Sequence, residues 1–435
     1  MSAVATEKNI TADVAAVIEK SITTLPSQMQ QRKEALNAFK KQGLPLPKSE
    51  EYKFTPVTRF LEKNFDLNAK NPESKINASP FIIAGLDAHV LVFVNGIYSA
   101  EQSSINASGV TVSTLKDAVQ NNQAASLKYL GTIADVNADA FAAWNTATWN
   151  DGVFIHVPKN VIVDKPVVLY HIHDAQNGQV ISHSRNLIVV ERSAEVTVVE
   201  KFDSAGSAAH FSTTVTEAIV EENAGLNFYS IQNDSGARHQ VGSTQIQQAN
   251  HSRVNTFTFS LDGKLIRNNL HMVLDGEGIE SHMYGLYLLG KDTLADNHTV
   301  ADHRKPNSFS NELYKGVMDG NSRGVFNGKI YVRPDAQKTN AFQANRNILL
   351  TDKATVNTKP QLEIWADDVK CSHGCTSGQL DEEALFYLQT RGINKETAQA
   401  MMLYAFAGEV LDAVKDPVIK TYIDQVISER LHKNF

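Results

Sequence analysis

The sequence predicts a mainly β protein, a parallel β-helix flanked by N-terminal and C-terminal α-helical regions. From Gly152 to Trp365, short alternating runs rich in Val, Ile, Thr, Phe and Tyr follow one another without helical periodicity. A small-residue turn followed by such a run also recurs at a nearly regular interval. More than two hundred residues of strand without intervening helices exclude a doubly wound sheet, in which strands and helices alternate.

The first 150 residues are predicted to be mainly helical. Helical patterns extend from Thr11 to about Phe65 and include a polar helix from Ser27 to Gln42. A short strand pair is expected around His89 to Tyr98, because Asn95-Gly96 is a hairpin turn signal. Helical stretches follow between Leu115 and Thr148. We therefore place an N-terminal helical region at residues 1–150.

The strand-rich segment repeats about every 26 to 30 residues. The repeated strands begin with small residues: Ala194, Ala224, Ser252, Gly278, Gly324 and Ala354. The wide interval between Gly278 and Gly324 suits two shorter turns. Coils of a solenoid bury their inward side chains against the next coil, so we place a β-helix at residues 151–368. A β-sandwich is the structural alternative, because its strands also alternate and turn often.

Helical periodicity returns after Gly378. One helix is predicted from Asp381 to Thr390, ended by Arg391-Gly392, and Asn394 can cap a second helix that runs to about Val414. Pro417 opens a third helix. These patterns place a C-terminal helical domain at residues 369–435.

The second of these helices carries a wide apolar face. Its residues are Ala398, Met401, Met402, Ala405, Phe406, Val410, Leu411 and Val414. Two interpretations stay open: the face packs into a core formed with its neighbours, or part of it is reserved for a partner protein.

Both cysteines of the chain lie with a histidine at alternate positions, Cys371, His373 and Cys375. In an extended backbone these side chains point to one side, and sulfur and imidazole donors suit iron, zinc or copper(I). A closed zinc site or an iron–sulfur cluster needs about four protein ligands. Any cluster held here would therefore need thiols from another chain. The alternative is structural, with buried small thiols and a histidine satisfied in place.

Composition and motifs argue against several classes of function. A net charge of −7 argues against nucleic acid or an anionic membrane as the main partner, and no run approaches 18 apolar residues. The N-terminus has no basic start followed by an apolar core, and two cysteines favour a reducing cytoplasm over a disulfide framework. Nucleotide and nucleophile motifs are absent from the sequence. The run from Asp302 to Lys305 is either a loop between coils or a reactive group of residues.

Four segments of the sequence resemble a known protein family. They are SEEYKFT from Ser49, FAAWNTATWNDGVFIHVPKNVIVDKP from Phe141, FNGKIYVRPDAQKTNAFQANRNILLTDKA from Phe326 and KPQLEIWADDVKCSHGCTSGQLDEEALFYLQTRGI from Lys359. On these segments the chain resembles the SufB/SufD family of iron–sulfur cluster assembly proteins over nearly its whole length, and its few cysteines favour the SufD branch. The resemblance implies a right-handed parallel β-helix between two helical regions.

The resemblance implies a scaffold in the SUF system rather than an enzyme. Such a chain pairs through its β-helix with SufB, and its C-terminal helices bind the ATPase SufC. It also implies that Cys371 and His373 lie at the SufB contact and handle iron or a nascent, transient cluster. Cys375 departs from the family pattern, in which a small residue often stands there, so that residue either adds a ligand or packs.

The resemblance adds further expectations about partners. The candidate SufC-docking residues are Asp381, Glu382, Leu385, Met401, Met402 and Phe406. A homodimer is expected when SufB is missing, and reduced flavin is expected somewhere in the complex. A carbohydrate-active β-helix enzyme, such as a polysaccharide lyase, is the functional alternative, with the run from Asp302 to Lys305 as its acid–base and cation site.

Overall fold

The computed structural model describes residues 10–24, 28–234 and 237–434. The predicted helix start at Ser27 lies outside these residues. Helices occupy the first part of the chain as predicted: α1 Ile10–Thr24, α2 Met29–Gln42, α3 Val57–Asn64, α4 Leu115–Gln120, α5 Ala124–Tyr129 and α6 Ala140–Thr148. A single 3₁₀ turn, Glu50–Tyr52, lies between α2 and α3.

The predicted hairpin is present. Strands β1 (His89–Val94) and β2 (Ile97–Tyr98) pair antiparallel. They are joined at Asn95 and Gly96, whose φ angles of 50° and 79° are those of a two-residue hairpin turn. Strand β3 (Thr111–Thr114) pairs antiparallel with β4 (Val153–Val157), so the N-terminal region contributes strands to both of the large sheets.

Two long sheets form the β-helix, and each coil contributes one strand to each sheet. The first sheet continues from β1 through β5 Val167–Ala175, β7 Glu195–Gly206, β9 Gly225–Asn233, β11 Arg253–Asp262, β13 Glu280–Leu289, β15 Phe309–Met318, β17 Asn340–Leu349 and β19 Lys370–Gly378. The second continues from β4 through β6 Val180–Val190, β8 His210–Val220, β10 Arg238–Gln248, β12 Leu265–Leu274, β14 Leu294–His303, β16 Arg323–Val332 and β18 Thr355–Ile364.

The coils stack in parallel and in register. Strand β13 pairs with β15, for example, from Glu280 opposite Phe309 to Leu289 opposite Met318. Within the described residues the stack amounts to about eight coils. The predicted parallel β-helix is confirmed, and parallel pairing between successive coils excludes the antiparallel β-sandwich.

The repeat prediction was wrong at its one wide interval. First-sheet strands from β7 to β19 begin 27 to 31 residues apart, with one of them beginning at Phe309. The predicted starts at Gly324 and Ala354 belong to the second sheet, at β16 and β18. The interval from Gly278 to Gly324 therefore spans one and a half coils rather than two shorter turns.

Alternation along the strands separates an interior from two outer faces. Val167 and Leu169 of β5 join the interior core, in which residues of both sheets meet. Val168 and Tyr170 alternate with these two residues along β5 and face outward toward the C-terminal helices. The interior is closely packed: a Cβ atom at Gly316 would lie 2.1 Å from the Tyr287 ring of the adjacent coil. Glycine is required there because the ring occupies that space.

The N-terminal region covers the outer face of the second sheet. Residues of α1, α2 and α6 share a core with Phe211, Val241 and Leu265 of that sheet. The 3₁₀ turn also reaches the last coils, where Glu50 pairs with Lys359 of β18 and Glu51 pairs with Lys329 of β16. These two ion pairs join segments 309 and 278 residues apart in sequence.

The three predicted C-terminal helices are present as α7 Glu382–Thr390, α8 Lys395–Leu411 and α9 Pro417–Asn434. The Asn394 side chain accepts a hydrogen bond from the Thr397 amide and caps α8, as predicted. Helices α8 and α9 cover the outer face of the first sheet, where Leu403 and Ile423 share a core with Phe257. Strand β19 lies in the β-helix, although the predicted division at residue 368 places it in the helical region. In the ranges described, no helix has the length and apolarity that a membrane span requires.

Candidate functional site

The Cys371, His373 and Cys375 side chains lie on the inward side of the last strand. They stand in register with Ala341, Gln343 and Asn345 of β17, all buried in the interior, so the prediction that the three share one side is confirmed. Cys371 is half-buried against the interior core, whereas His373 and Cys375 are exposed. The three residues therefore form a row at the open end of the β-helix.

The row does not make a complete metal site by itself. Among the described residues, the His, Cys, Asp and Glu side chains whose ligand atoms all lie within 4.8 Å of one another are His173, His210 and Asp234. The Cys375 Sγ atom lies 2.8 Å from the Thr358 hydroxyl oxygen of β18. Burial raises the pKa of the Cys371 thiol, so this thiol carries a proton at neutral pH until a metal displaces it. An open row with too few donors suits a site shared with a second chain.

A buried carboxyl lies on the same row, two coils below His373. Glu312 of β15 is opposite Gln343, and Gln343 is opposite His373. The Gln343 side-chain nitrogen Nε2 donates to Glu312 Oε2 at 2.7 Å, and both side chains are buried. Burial raises the pKa of Glu312 to about 7, although the Thr299 hydroxyl and the Gln343 amide lower it in part. The interior thus holds an acid that is largely uncharged below neutral pH.

We expect Glu312→Gln to stabilise the chain increasingly as the pH rises. At low pH both the folded and the unfolded chain keep the Glu312 proton, so the two proteins differ little. Between the ordinary pKa of 4.5 and about 7 the unfolded wild-type chain loses this proton first, which favours unfolding. The variant should therefore gain about 2 kcal/mol relative to wild type between roughly pH 5 and pH 8. Urea denaturation at both pH values measures this difference, and a difference independent of pH would contradict the prediction.

His173, His210 and Asp234 form a buried cluster near the opposite end of the β-helix. The Asp234 Oδ2 atom lies 3.0 Å from His210 Nε2, 3.9 Å from His173 Nδ1 and 3.7 Å from Arg238 Nε. Burial alone would raise the pKa of Asp234, but His210 and Arg238 hold it well below its usual range. The arginine already supplies the compensating positive charge, so this is a closed ionic network. Sequence analysis missed it because its members lie on different coils, with no ligand spacing between them.

The candidate docking residues divide between the surface and the core. Asp381 caps α7 by accepting hydrogen bonds from the Glu383 and Ala384 amides, and Glu382 is exposed. Leu385, Met402 and Phe406 are half-buried, and Met401 is exposed. The Phe406 ring lies over the Lys315 ammonium at 4.6 Å. Phe406 therefore contributes to the contact between α8 and the first sheet.

Of the four large exposed apolar side chains of α7 and α8, the sequence analysis named Met401 as a docking candidate and missed the other three. Phe386 and Tyr387 of α7 are 67% and 56% exposed, and Met401 and Tyr404 of α8 are 48% and 39% exposed. No residue of α7 is buried. We call Phe386, Tyr387, Met401 and Tyr404 the helical patch. Its sequence signal is that α7 is apolar on more than one side, a pattern expected of a buried helix.

The predicted lyase residues do not form an acid–base site. Asp302 is buried, and Arg304 Nε and Arg333 Nε lie 3.0 Å and 2.7 Å from its two carboxylate oxygens. Burial raises the pKa of Asp302, but the arginines outweigh this effect and lower it. His303 lies on the opposite, interior side of β14 beside Ser310, and burial lowers its pKa to about 4. The run from Asp302 to Lys305 fixes a turn between coils.

Two family models match most of the chain. Residues 171–406 match the model described as SUF system FeS cluster assembly, SufBD core domain. Residues 10–169 match the model of the SufBD protein N-terminal region.

Curated relatives agree with these matches. The chain is 32% identical to the iron–sulfur cluster assembly protein SufD of Escherichia coli, over 92% of each chain. It is 32% identical to an iron–sulfur cluster assembly SufBD family protein of Synechocystis, over 89% of this chain and 87% of the relative. It is also 33% identical to the chloroplastic protein ABCI7 of Arabidopsis thaliana, over 63% of this chain and 60% of the relative.

Proposed function

This chain belongs to the SufBD family of iron–sulfur cluster assembly proteins, and from that membership we propose that it is a SUF scaffold subunit that pairs with a SufB-type chain and docks a SufC-type ATPase. In this proposal the chain acts by holding partners and cargo together, and iron or a nascent cluster is that cargo. The observation that carries the proposal is the open last coil, which presents Cys371 and His373 beside unpaired strand edges.

The edges of the last coil support pairing with another β-helix. Strands β18 and β19 end the two sheets of the described chain, so each has one free hydrogen-bonding edge. Unpaired edges recruit further strands unless something covers them. Phe342, Ile364 and Trp365 are exposed large apolar side chains on or next to the strands of this end. A partner with a matching open end would pair with both edges and cover these side chains.

The donor shortage of the row supports a site shared with that partner. Cys371 and His373 can supply one thiolate and one imidazole, and a cluster or iron ion needs further ligands. The partner chain would supply these ligands across the interface between the two β-helices. Cys375 stays an undecided third donor, because its thiol contacts Thr358 and is also exposed.

The helical patch supports docking of the ATPase. Its four residues are exposed on α7 and α8, whereas Leu403 and Ala407 of α8 are buried against the outer face of the first sheet. Exposed aromatic and methionine side chains of this kind are common in protein interfaces. In this proposal, one side of α8 packs into the core and its other side contacts the partner protein.

Three further expectations stay predictions. The proposal places the chain in a reducing cytoplasm, where the free thiols of Cys371 and Cys375 remain available. A homodimer through the same open end is expected when the SufB-type partner is missing. Reduced flavin is expected in the complex as a whole.

Co-expression tests the proposed function. The chain is produced under anaerobic conditions together with SufB-type and SufC-type proteins, and an affinity tag is placed on this chain alone. We expect both partners to co-purify and the complex to gain iron and acid-labile sulfide on reconstitution. Recovery of the chain without partners, together with cleavage of polyuronate by the isolated chain, would favour the lyase alternative.

A further inference from the structure

The Glu312 carboxyl lies among groups that do not neutralise it. Met283 of β13 lies below Glu312 in register, Gln343 of β17 lies above it, and the Thr299 hydroxyl of β14 lies beside it. Tyr314, two residues along the same strand, is a titratable neighbour, but burial raises its pKa and keeps it protonated. None of these neighbours is cationic, so within the described part of the chain the charged form of Glu312 has no counter-ion.

The hydrogen bonding of Glu312 is incomplete, which leaves room for a change in protonation. Its Oε1 atom and the Oε1 atom of Gln343 are both buried, and neither has a hydrogen-bond partner among the described residues. Buried acceptors without a donor are costly. The Gln343 amide fills the space that a side chain at residue 328 would take, since a Cβ atom added at Gly328 would lie 2.2 Å from Gln343 Nε2.

We propose that Glu312 is the internal counter-charge of the last coil: a cation bound at Cys371 and His373 makes the Glu312 carboxyl release its proton and then holds the carboxylate in place. This inference rests on the proposed function, because it assumes that the row binds a metal. The step is balanced: a divalent ion, the Cys371 thiol and the Glu312 carboxyl give a metal thiolate and a carboxylate, and two protons pass to solvent.

The distance is short enough for such coupling. His373 and Glu312 are two strands apart on one row, about 10 Å between backbones. Glu312 is buried, whereas the cation would lie at the partly exposed end of the row, so the two charges interact more strongly than they do in water but less strongly than two buried charges would. A dication at the row should therefore lower the pKa of Glu312 by at least one unit, and the carboxylate should in turn raise metal affinity roughly tenfold.

Proton counting on metal binding tests the inference. The probe is Co²⁺, added anaerobically to the full chain, with thiolate absorption reporting the Cys371 bond. Calorimetry in two buffers of different ionisation enthalpy gives the protons released per metal at about pH 6.5. We expect Glu312→Gln to release roughly half a proton to one proton fewer than wild type and to bind about tenfold more weakly.

A matched control is Glu200→Gln. Glu200 is equally buried in the interior, but it lies on β7, four coils away from β15. This variant should release as many protons as wild type. Equal release by Glu312→Gln and wild type would overturn the inference and leave the proposed function intact. Absence of Co²⁺ binding that depends on Cys371 would overturn both the ligand role of the row and the inference.

A measurement on the wild-type chain avoids dependence on a variant. Glutamate labelled with ¹³C at the side-chain carboxyl should show one group that titrates near neutral pH, and saturation with Zn²⁺ should move that titration to lower pH. A titration near neutral pH that Zn²⁺ leaves unchanged would contradict the counter-charge role.

Discussion

Replacing three residues of the helical patch should abolish ATPase docking while the chain keeps its stability. The variant is Phe386→Ser, Tyr387→Ser and Met401→Ser, which removes the three most exposed side chains of the patch. Truncation of a hot-spot aromatic residue at the centre of an interface costs about 2 kcal/mol or more. We therefore expect affinity for the SufC-type protein to fall by a factor of about 100 or more.

Two controls separate docking from folding. Gln389→Ser changes an exposed polar residue of α7 and should leave both binding and the thermal midpoint unchanged. Leu403→Ser changes a residue of α8 that is buried against the first sheet and should lower stability by about 3 kcal/mol. Deleting all three helices is a poorer test, because α8 and α9 cover the apolar outer face of that sheet. Undiminished binding by the triple variant would show that the partner docks elsewhere.

Substitution in the Cys371–His373 row should remove most of the cluster from the assembled complex. We expect Cys371→Ser and His373→Ala each to lower iron and acid-labile sulfide per complex to a small fraction of wild type. The thermal midpoint should change little, because His373 is exposed and Cys371 is half-buried. His373→Ala should have the larger effect, because imidazole is a common ligand of iron and no other histidine lies close in sequence.

Ser377→Ala is the matched control for this row. Ser377 is exposed and lies on the same strand, two residues after Cys375 and on the same side. Because a serine hydroxyl is not a thiol or imidazole donor, its substitution should leave cluster content unchanged. Cys375→Ser then decides the role of the second thiol: loss of cluster makes Cys375 a ligand, and full retention makes it a packing residue. If the thermal midpoint falls by several degrees in both Cys371→Ser and His373→Ala, while the cluster content per folded molecule is unchanged, the two residues only support the fold.

Local signals in the sequence predicted much of the fold. The Asn95-Gly96 turn and the Asn394 cap depend on a few neighbouring residues, and both are present. Strand alternation predicted coils because each strand must turn one side inward. Alternation could not show which of the two sheets a strand joins, because the strands of both sheets have the same apolar–polar pattern. For that reason Gly324 was assigned to the wrong repeat position.

The parts of the site that escaped prediction depend on contacts between distant residues. The position of Glu312 beneath His373 follows from the register of three strands, which no local pattern encodes. The exposure of Phe386 depends on where α7 lies relative to the sheets, whereas its sequence is typical of a buried helix. The row at Cys371 was predictable because its three donors lie within five residues of one strand.

The ion pairs of Glu50 and Glu51 set an order of events during synthesis. A solenoid can add coils one by one as they leave the ribosome, but Lys329 and Lys359 emerge about 300 residues after the 3₁₀ turn. At roughly 5 to 20 residues per second, the turn waits about 15 to 60 seconds for these partners. Attachment of the N-terminal region to the last coils is thus a late step, completed only once β16 and β18 exist. A nascent chain cut short before those strands lacks the lysine partners of both glutamates and keeps only the contact of Glu51 with His298 of β14, so its N-terminal region is held by fewer ion pairs until synthesis is nearly complete.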